Sequence, residues 1–273
     1  QELKKMEPYF EERRPVKCVG ILQSDLSMSV NIPALNPDAI LRAKRHNPHQ
    51  NAVLGAMQLC ENAKLPFMIL PEKTLTADLL SQYSVVLLPE GFVIQEETVS
   101  LIEGFVKNGG LLLASGQSGL WNADSSKREC SSIAHLLGTK AARIHTEYTA
   151  NRWSAYLKNT GIREFTGLLS CTTPPVSEHF VETQPQDDTE SLLSLVLPCV
   201  ACDADHWVNW WSPPPAVDAS YPALLHHTYE KGNVYYMAFD FFTMATIETF
   251  RHPHSLFRDI MEMEHIIPVI QNI

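Results

Sequence analysis

Short apolar runs separated by amphipathic stretches dominate the first third of the chain. Val16-Lys17-Cys18-Val19-Gly20-Ile21-Leu22, Pro66-Phe67-Met68-Ile69-Leu70 and Ser84-Val85-Val86-Leu87-Leu88 are such runs, the last two followed at once by Pro71 and Pro89. Runs without polar alternation suit strands buried on both faces, as in a parallel sheet. Between the first two, Val53, Ala56, Met57 and Cys60 recur at i, i+3, i+4, i+7 behind Asn51, which predicts a helix from Asn51 to Ala63 with Asn51 as its N-cap. Gln95 to Asn108 repeats the pattern with Val99, Ile102, Phe105 and Val106 on one stripe, Glu96 and Glu97 at the positive end of the dipole, and Gly109-Gly110 as the stop. Leu111-Leu112-Leu113-Ala114 supplies the next strand. Strand and helix in alternation at this spacing predict a doubly wound, mostly parallel α/β sheet flanked by helices, with right-handed crossovers.

Residues 23 to 50 are polar and carry Pro33, Pro37 and Pro48, so they read as a long excursion before the first helix. Residues 140 to 232 are irregular, with Pro174-Pro175, Asp187-Asp188-Thr189-Glu190 and Pro213-Pro214-Pro215, and are expected to form short strands and loops packed against the sheet. Regularity returns at Asn233 to Phe239, a strand after a Lys231-Gly232 turn, and at Ser255 to Glu264, a helix burying Leu256, Phe257, Ile260 and Met261. No internal repeat is visible.

Composition narrows the function classes. A hydrophobic fraction of 45% with 19% charged residues, 12 Gly and 18 Pro in 273 residues is that of a folded globular chain. The net charge of -10, from 31 acidic and 21 basic residues, repels phosphate backbones and anionic headgroups, so neither nucleic acid nor membrane is an expected partner. The richest apolar stretch, Leu192 to Cys202, is broken by Ser194 and Pro198 and falls short of the ~18 residues of a membrane span. The chain begins Gln1-Glu2-Leu3 without an initiator Met or a secretory hydrophobic region, which is expected of a start inside a longer gene product or after processing. Six scattered cysteines are not a disulfide framework; reduced thiols and the lack of an export signal favour a cytoplasmic location. Cys18 and Cys60 fall in apolar segments and read as buried thiols.

In an open parallel sheet, ligands bind beyond the carboxyl ends of the strands. The residues that follow the strands are Gln23-Ser24-Asp25, Pro89-Glu90-Gly91, Ser115-Gly116-Gln117-Ser118-Gly119 and Asp240, so Asp25, Glu90, Gln117, Ser118 and Asp240 form the expected ligand-binding rim. Glu90 and Asp240 would suit a carboxylate pair that binds hydroxyls or acts as acid and base, although carboxylates at strand ends more often cap helices or solvate loops. Ser118 sits on a Gly-rich strand-to-helix turn, but in Gly116-Gln117-Ser118-Gly119-Leu120 and not G-x-S-x-G, and no His follows the late strand to act as its base. Cys199-Val200-Ala201-Cys202 with His206 is half a zinc site; structural zinc wants four ligands, so two buried thiols on an apolar strand are expected, with no metal. Trp207, Trp210 and Trp211, before Pro213, suit sugar stacking, a subunit contact or cover for the core equally well.

The order of elements between about residues 16 and 262 resembles the β-galactosidase trimerisation domain of β-galactosidase-like glycoside hydrolases. The resemblance rests on Leu79-Leu80-Ser81-Gln82-Tyr83-Ser84-Val85-Val86-Leu87-Leu88-Pro89 and Phe105-Val106-Lys107-Asn108-Gly109-Gly110-Leu111-Leu112-Leu113-Ala114-Ser115-Gly116, then Ile133-Ala134-His135-Leu136-Leu137-Gly138 and Tyr229-Glu230-Lys231-Gly232-Asn233-Val234-Tyr235-Tyr236-Met237-Ala238-Phe239. It implies the flavodoxin-like fold of class I glutamine amidotransferases, with Ser118 at the degenerate elbow, Gly91 at the oxyanion-loop position and Asp240 where the family places a histidine. It also implies that the catalytic carboxylates lie in an N-terminal barrel, so that residues 1–15 are a linker and 16–273 a single domain with an irregular insertion at about 140–232. The expected function is a non-catalytic oligomerisation and active-site-supporting domain of a glycoside hydrolase, without cofactor. Its expected partners are the barrel, further copies of the chain, and carbohydrate. A stand-alone amidotransferase-like or carbohydrate-modifying hydrolase and a sugar-binding module are the rival readings.

Overall fold

The computed structural model describes residues 4–5, 16–30, 47–145, 148, 153–168, 173–177, 179–201, 213–247 and 251–268. Its centre is a nine-stranded sheet. In chain order the elements that build and cover it are β1 (Val19–Gln23), α1 (Asp25–Ser29), α2 (Pro48–Asn62), β2 (Phe67–Pro71), α3 (Ala77–Leu80), β3 (Val85–Leu88), α4 (Glu96–Lys107), β4 (Leu111–Ser115) and α5 (Ala134–Leu137). They continue with β5 (Thr139–His145), β6 (Ala155–Asn159), β7 (Pro175–Val176), β8 (Phe180–Pro185), β9 (Thr189–Pro198), β10 (Pro215–Tyr229), β11 (Gly232–Met237), α6 (Phe241–Met244) and α7 (His252–Met263).

The sheet order is β2-β1-β3-β4-β11-β10-β9-β6-β7, while β5 and β8 form a separate antiparallel pair. From β2 to β11 all pairings are parallel, in the flavodoxin-like order of a doubly wound fold; from β11 to β7 all are antiparallel. β1, β3 and β4 bury both faces, which is why they read as unbroken apolar runs, whereas β2, the edge strand, is as apolar in sequence yet leaves Met68 and Ile69 exposed. Val19, Ile21, Val85, Leu87, Leu111 and Leu113 face a core with Ala52, Ala56 and Leu59 of α2 and Leu256, Phe257 and Ile260 of α7. Leu22, Val86, Leu88, Leu112 and Ala114 face a second core with Ile102, Phe105 and Val106 of α4 and Leu136 and Leu137 of α5. Alternation within each strand therefore feeds two layers of helices.

Three expectations are corrected. The first long helix starts at Pro48, not Asn51: Asn47 Oδ1 accepts the His49 N–H at 2.8 Å, and Pro48 occupies a first-turn position that lacks an intrahelical donor requirement. The last helix likewise starts early, at His252 with Pro253 in its first turn. The region 140–232 is not a set of short strands packed against the sheet: β9 and β10 are long and continue the sheet itself, β10 with four register shifts against β9 that bend the pair.

Candidate functional site

The carboxyl ends of β1, β3, β4 and β11 converge on one rim, and the turns that leave them cross-link. Glu90 leaves β3 with φ 45° and donates its N–H to Ser115 Oγ at 3.2 Å. Gly116 (φ 50°) and Gly119 (φ 72°) turn the chain after β4, and the returning segment laces onto the β3 turn through Gly119 N–H to Gly91 O at 2.7 Å and Trp121 N–H to Phe92 O at 3.0 Å. An alanine at position 116 would overlap the Glu90 carboxylate, so glycine is required there twice over. Val30, Phe92, Val93, Leu120, Trp121 and Val181 then form a small apolar cluster at this end of the molecule. Glu90, Gln117 and Ser118 are each 1% exposed and Asp240 is 6% exposed. These strand-end side chains form a buried polar layer.

Burial and the neighbouring Asp240 charge, in that order, raise the Glu90 pKa well above the ordinary carboxylate range, against the lowering pull of the Gln117 N–H and the Ser115 hydroxyl. Glu90 Oε2 accepts the Gln117 N–H at 3.1 Å, while Oε1 is buried without a hydrogen bond. Glu90 is therefore held in its protonated form further up the pH scale than a free carboxyl. Tyr236 donates its hydroxyl to Gly116 O at 2.6 Å, and burial raises its pKa, aided by Glu90.

His179 joins this layer from the other half of the sheet. β8 crosses the end of β11 through a Phe180–Phe239 bridge and a Val181 N–H to Ala238 O bond of 2.7 Å, which sets His179 over the rim. Its Nε2 lies 3.2 Å from Gln117 Nε2 and 3.8 Å from Glu90 Oε2. Trp121 Nε1–H donates to Gln117 Oε1 at 2.8 Å. Burial lowers the His179 pKa to about 4. His49, on the first turn of α2, accepts the Ser24 N–H at Nε2 (3.0 Å) and faces Pro89 O (2.9 Å) with Nδ1, so its tautomer carries the proton on Nδ1 and it ties β1 to the β3 turn. Desolvation lowers its pKa too.

Ser118 is engaged by backbone. Its hydroxyl donates to Ser115 O at 2.7 Å and accepts the Gly91 N–H at 3.1 Å. The N–H at the oxyanion-loop position is thus spent on the serine, and the two imidazoles of this layer bond elsewhere, His179 with Gln117 and His49 with the Ser24 N–H and Pro89 O. Asp25 is not part of the layer. Ser24 takes the N-cap of α1, which leaves Asp25 on the outer first turn, where its exposed carboxylate pairs with Lys73 at 2.5 Å. Gln117, Glu90, Ser118 and Asp240 are brought together as expected; His179, Trp121, Tyr236 and His49 complete the layer and carry no strand-end position that marks them in the sequence.

The other expected sites fare differently. Cys60 is buried and Cys18 half-buried, but Cys199, the residue after β9, is exposed. Cys171, Cys202, His206, Trp207, Trp210 and Trp211 lie outside the described residues. Among the described residues no group of three or more His, Cys, Asp or Glu is arranged to hold a metal ion, and no helix is long and apolar enough to cross a membrane.

No family profile matches the chain, and no curated protein does. Solved structures do. The chain is similar to α-L-fucosidase isoenzyme 2 from Paenibacillus thiaminolyticus, with a TM-score of 0.69 at 16% identity over 96% of this chain and 35% of that one. It is similar to Gan42B, a GH42 β-galactosidase from G. stearothermophilus, with a TM-score of 0.66 at 18% identity over 99% of this chain and 33% of that one. The β-galactosidase from Bacillus circulans sp. alkalophilus gives a TM-score of 0.66 at 14% identity over 100% of this chain and 34% of that one. The chain thus has a doubly wound α/β fold that recurs within glycoside hydrolases, and it spans about a third of the length of the solved chains it matches.

Proposed function

We propose that this chain is a non-catalytic domain of a glycoside hydrolase, one that promotes oligomer formation and walls part of the active site of its own or a neighbouring barrel. The observation that carries the reading is the fate of Ser118: at the elbow, the hydroxyl that would act as nucleophile is bonded to Ser115 O and to the Gly91 N–H, the donor that would serve as oxyanion hole. A nucleophile needs a base on its proton and a free donor beside it, and this serine has backbone in both places. The carboxyls of Glu90 and Asp240 are buried, and Glu90 accepts the Gln117 N–H, which ties the β3 turn to the β4 turn. The likeness of nearly the whole chain to about a third of several glycosidases supports a part played beside a catalytic region.

The reading is tested by assaying glycosidase turnover and sedimenting two samples, the chain alone and the product of its full open reading frame. The chain alone is expected to self-associate and to be inactive, and the full product to be active. A full product with no barrel, or equal turnover by the chain alone, contradicts it.

A further inference from the structure

We propose that Trp121, Gln117 and His179 form a one-way hydrogen-bond latch that holds the 117–121 turn closed over Glu90 and Asp240, and that proton uptake by His179 opens it. The polarity follows from donor chemistry. An indole N–H only donates, so Gln117 Oε1, 2.8 Å from Trp121 Nε1, is the acceptor. The Gln117 amide nitrogen is then the group facing His179 Nε2 at 3.2 Å, and it too only donates. His179 Nε2 must therefore offer a lone pair, which makes the ring neutral with its proton on Nδ1.

Protonation of Nε2 sets N–H against N–H. Rotating the Gln117 amide by half a turn satisfies His179 but presents NH2 to the indole N–H, so no orientation of Gln117 satisfies both neighbours. One buried donor loses its partner, a state that folded proteins avoid. Glu90 Oε2, 3.8 Å from Nε2, is an alternative acceptor for the charged ring and draws it away from Gln117. Trp121 sits in the apolar cluster with Phe92, Val93, Leu120 and Val181, so releasing its indole loosens the cover over the polar layer.

The ionisable groups around His179 come from every side of the layer. Glu90 follows β3, Asp240 follows β11, and Tyr236 on β11 bonds Gly116 O. His49 on α2 faces Pro89 O and Glu90 O, and His145 on β5 pairs with Glu182 of β8 at 2.8 Å. Of these, Glu90 lies within 4 Å of the His179 ring nitrogen. Burial of an imidazole beside a lidded cluster favours the neutral, latched form at neutral pH. The latch rests on geometry alone and stands whether or not the chain is catalytic.

The experiment is nitrogen-15 NMR on the chain, with His179 assigned through H179Q and the Trp121 indole through W121F. At neutral pH the His179 ring is expected as the Nδ1–H tautomer. On acidification its protonation and the shift of the Trp121 indole N–H should share one midpoint near pH 4, while amides of β3 and β4 stay in place. H179Q, whose carbonyl accepts the Gln117 amide, should keep the indole resonance independent of pH. Q117M should speed indole N–H exchange about tenfold at neutral pH, as expected for one lost buried hydrogen bond. An Nε2–H tautomer in the parent overturns the latch without any variant having to fold. So does an indole resonance that ignores the His179 titration, or a single global unfolding with no earlier step.

Discussion

Replacing Gly116 with alanine probes the polar layer at its tightest point. Gly116 has φ 50°, a left-handed conformation that costs an L-residue roughly 1–2 kcal/mol. A Cβ at this position would overlap Oε1 and Cδ of Glu90 and come within 2.7 Å of Oε2, so the buried carboxyl must leave its place. The Gln117 N–H then loses its acceptor, and an unsatisfied buried amide costs about 1–3 kcal/mol. Together these give a loss of about 2–5 kcal/mol, which for a chain of this size lowers the melting temperature by roughly 10 °C. The assay is thermal and urea unfolding of the parent, G116A, E90A and the double variant. Because the carboxyl is the obstacle, G116A should cost only its backbone share in the E90A background, leaving a coupling of about 1–3 kcal/mol. A melting temperature for G116A equal to the parent's, or the same cost in both backgrounds, refutes the reasoning.

Other outcomes follow from the same layer. His179 and His252 are buried and their pKa values are pushed down to about 4, so the unfolded chain binds protons below pH 6.5 that the folded chain refuses. Stability is therefore full above that range and falls on acidification, by about 2 kcal/mol for each of these two histidines at pH 5, measurable as a drop in the urea midpoint that H179Q makes smaller. Glu90 acts in the opposite sense: its pKa is raised, so its contribution is present at low pH and lost as pH climbs toward the folded value. E90Q should flatten the alkaline side of the stability profile and leave the chain as stable as the parent, or more so, above neutrality. S118A removes the acceptor of the Gly91 N–H and should cost about 1–3 kcal/mol in denaturant unfolding.

The parallel half of the sheet was legible because β3 and β4 are buried on both faces and so print as unbroken apolar runs, each closed by Pro or Gly. The antiparallel half was not. β9 and β10 slip register four times, which breaks the period of two that marks a strand, and Pro198, Pro215 and Pro222 imitate loop signals inside them. At the site, Glu90 was legible because it follows a legible strand. Asp25 was misplaced for the same rule: β1 ends at Gln23, Ser24 becomes a helix cap, and the carboxylate that follows turns outward. His179 was invisible because it reaches the rim just ahead of an antiparallel strand, 62 positions from the Gln117 it bonds. Nothing local to Ser177-Glu178-His179 announces that crossing.

The claim that this rim is structural rests finally on turnover. Purified chain is incubated with a panel of chromogenic glycosides spanning galactosides, fucosides and mannosides, beside E90Q prepared identically. Hydrolysis at the buffer rate for both samples is the expected result. A parent rate above buffer that collapses in E90Q would mean that the buried carboxyl works on substrate, and the scaffold reading would be wrong.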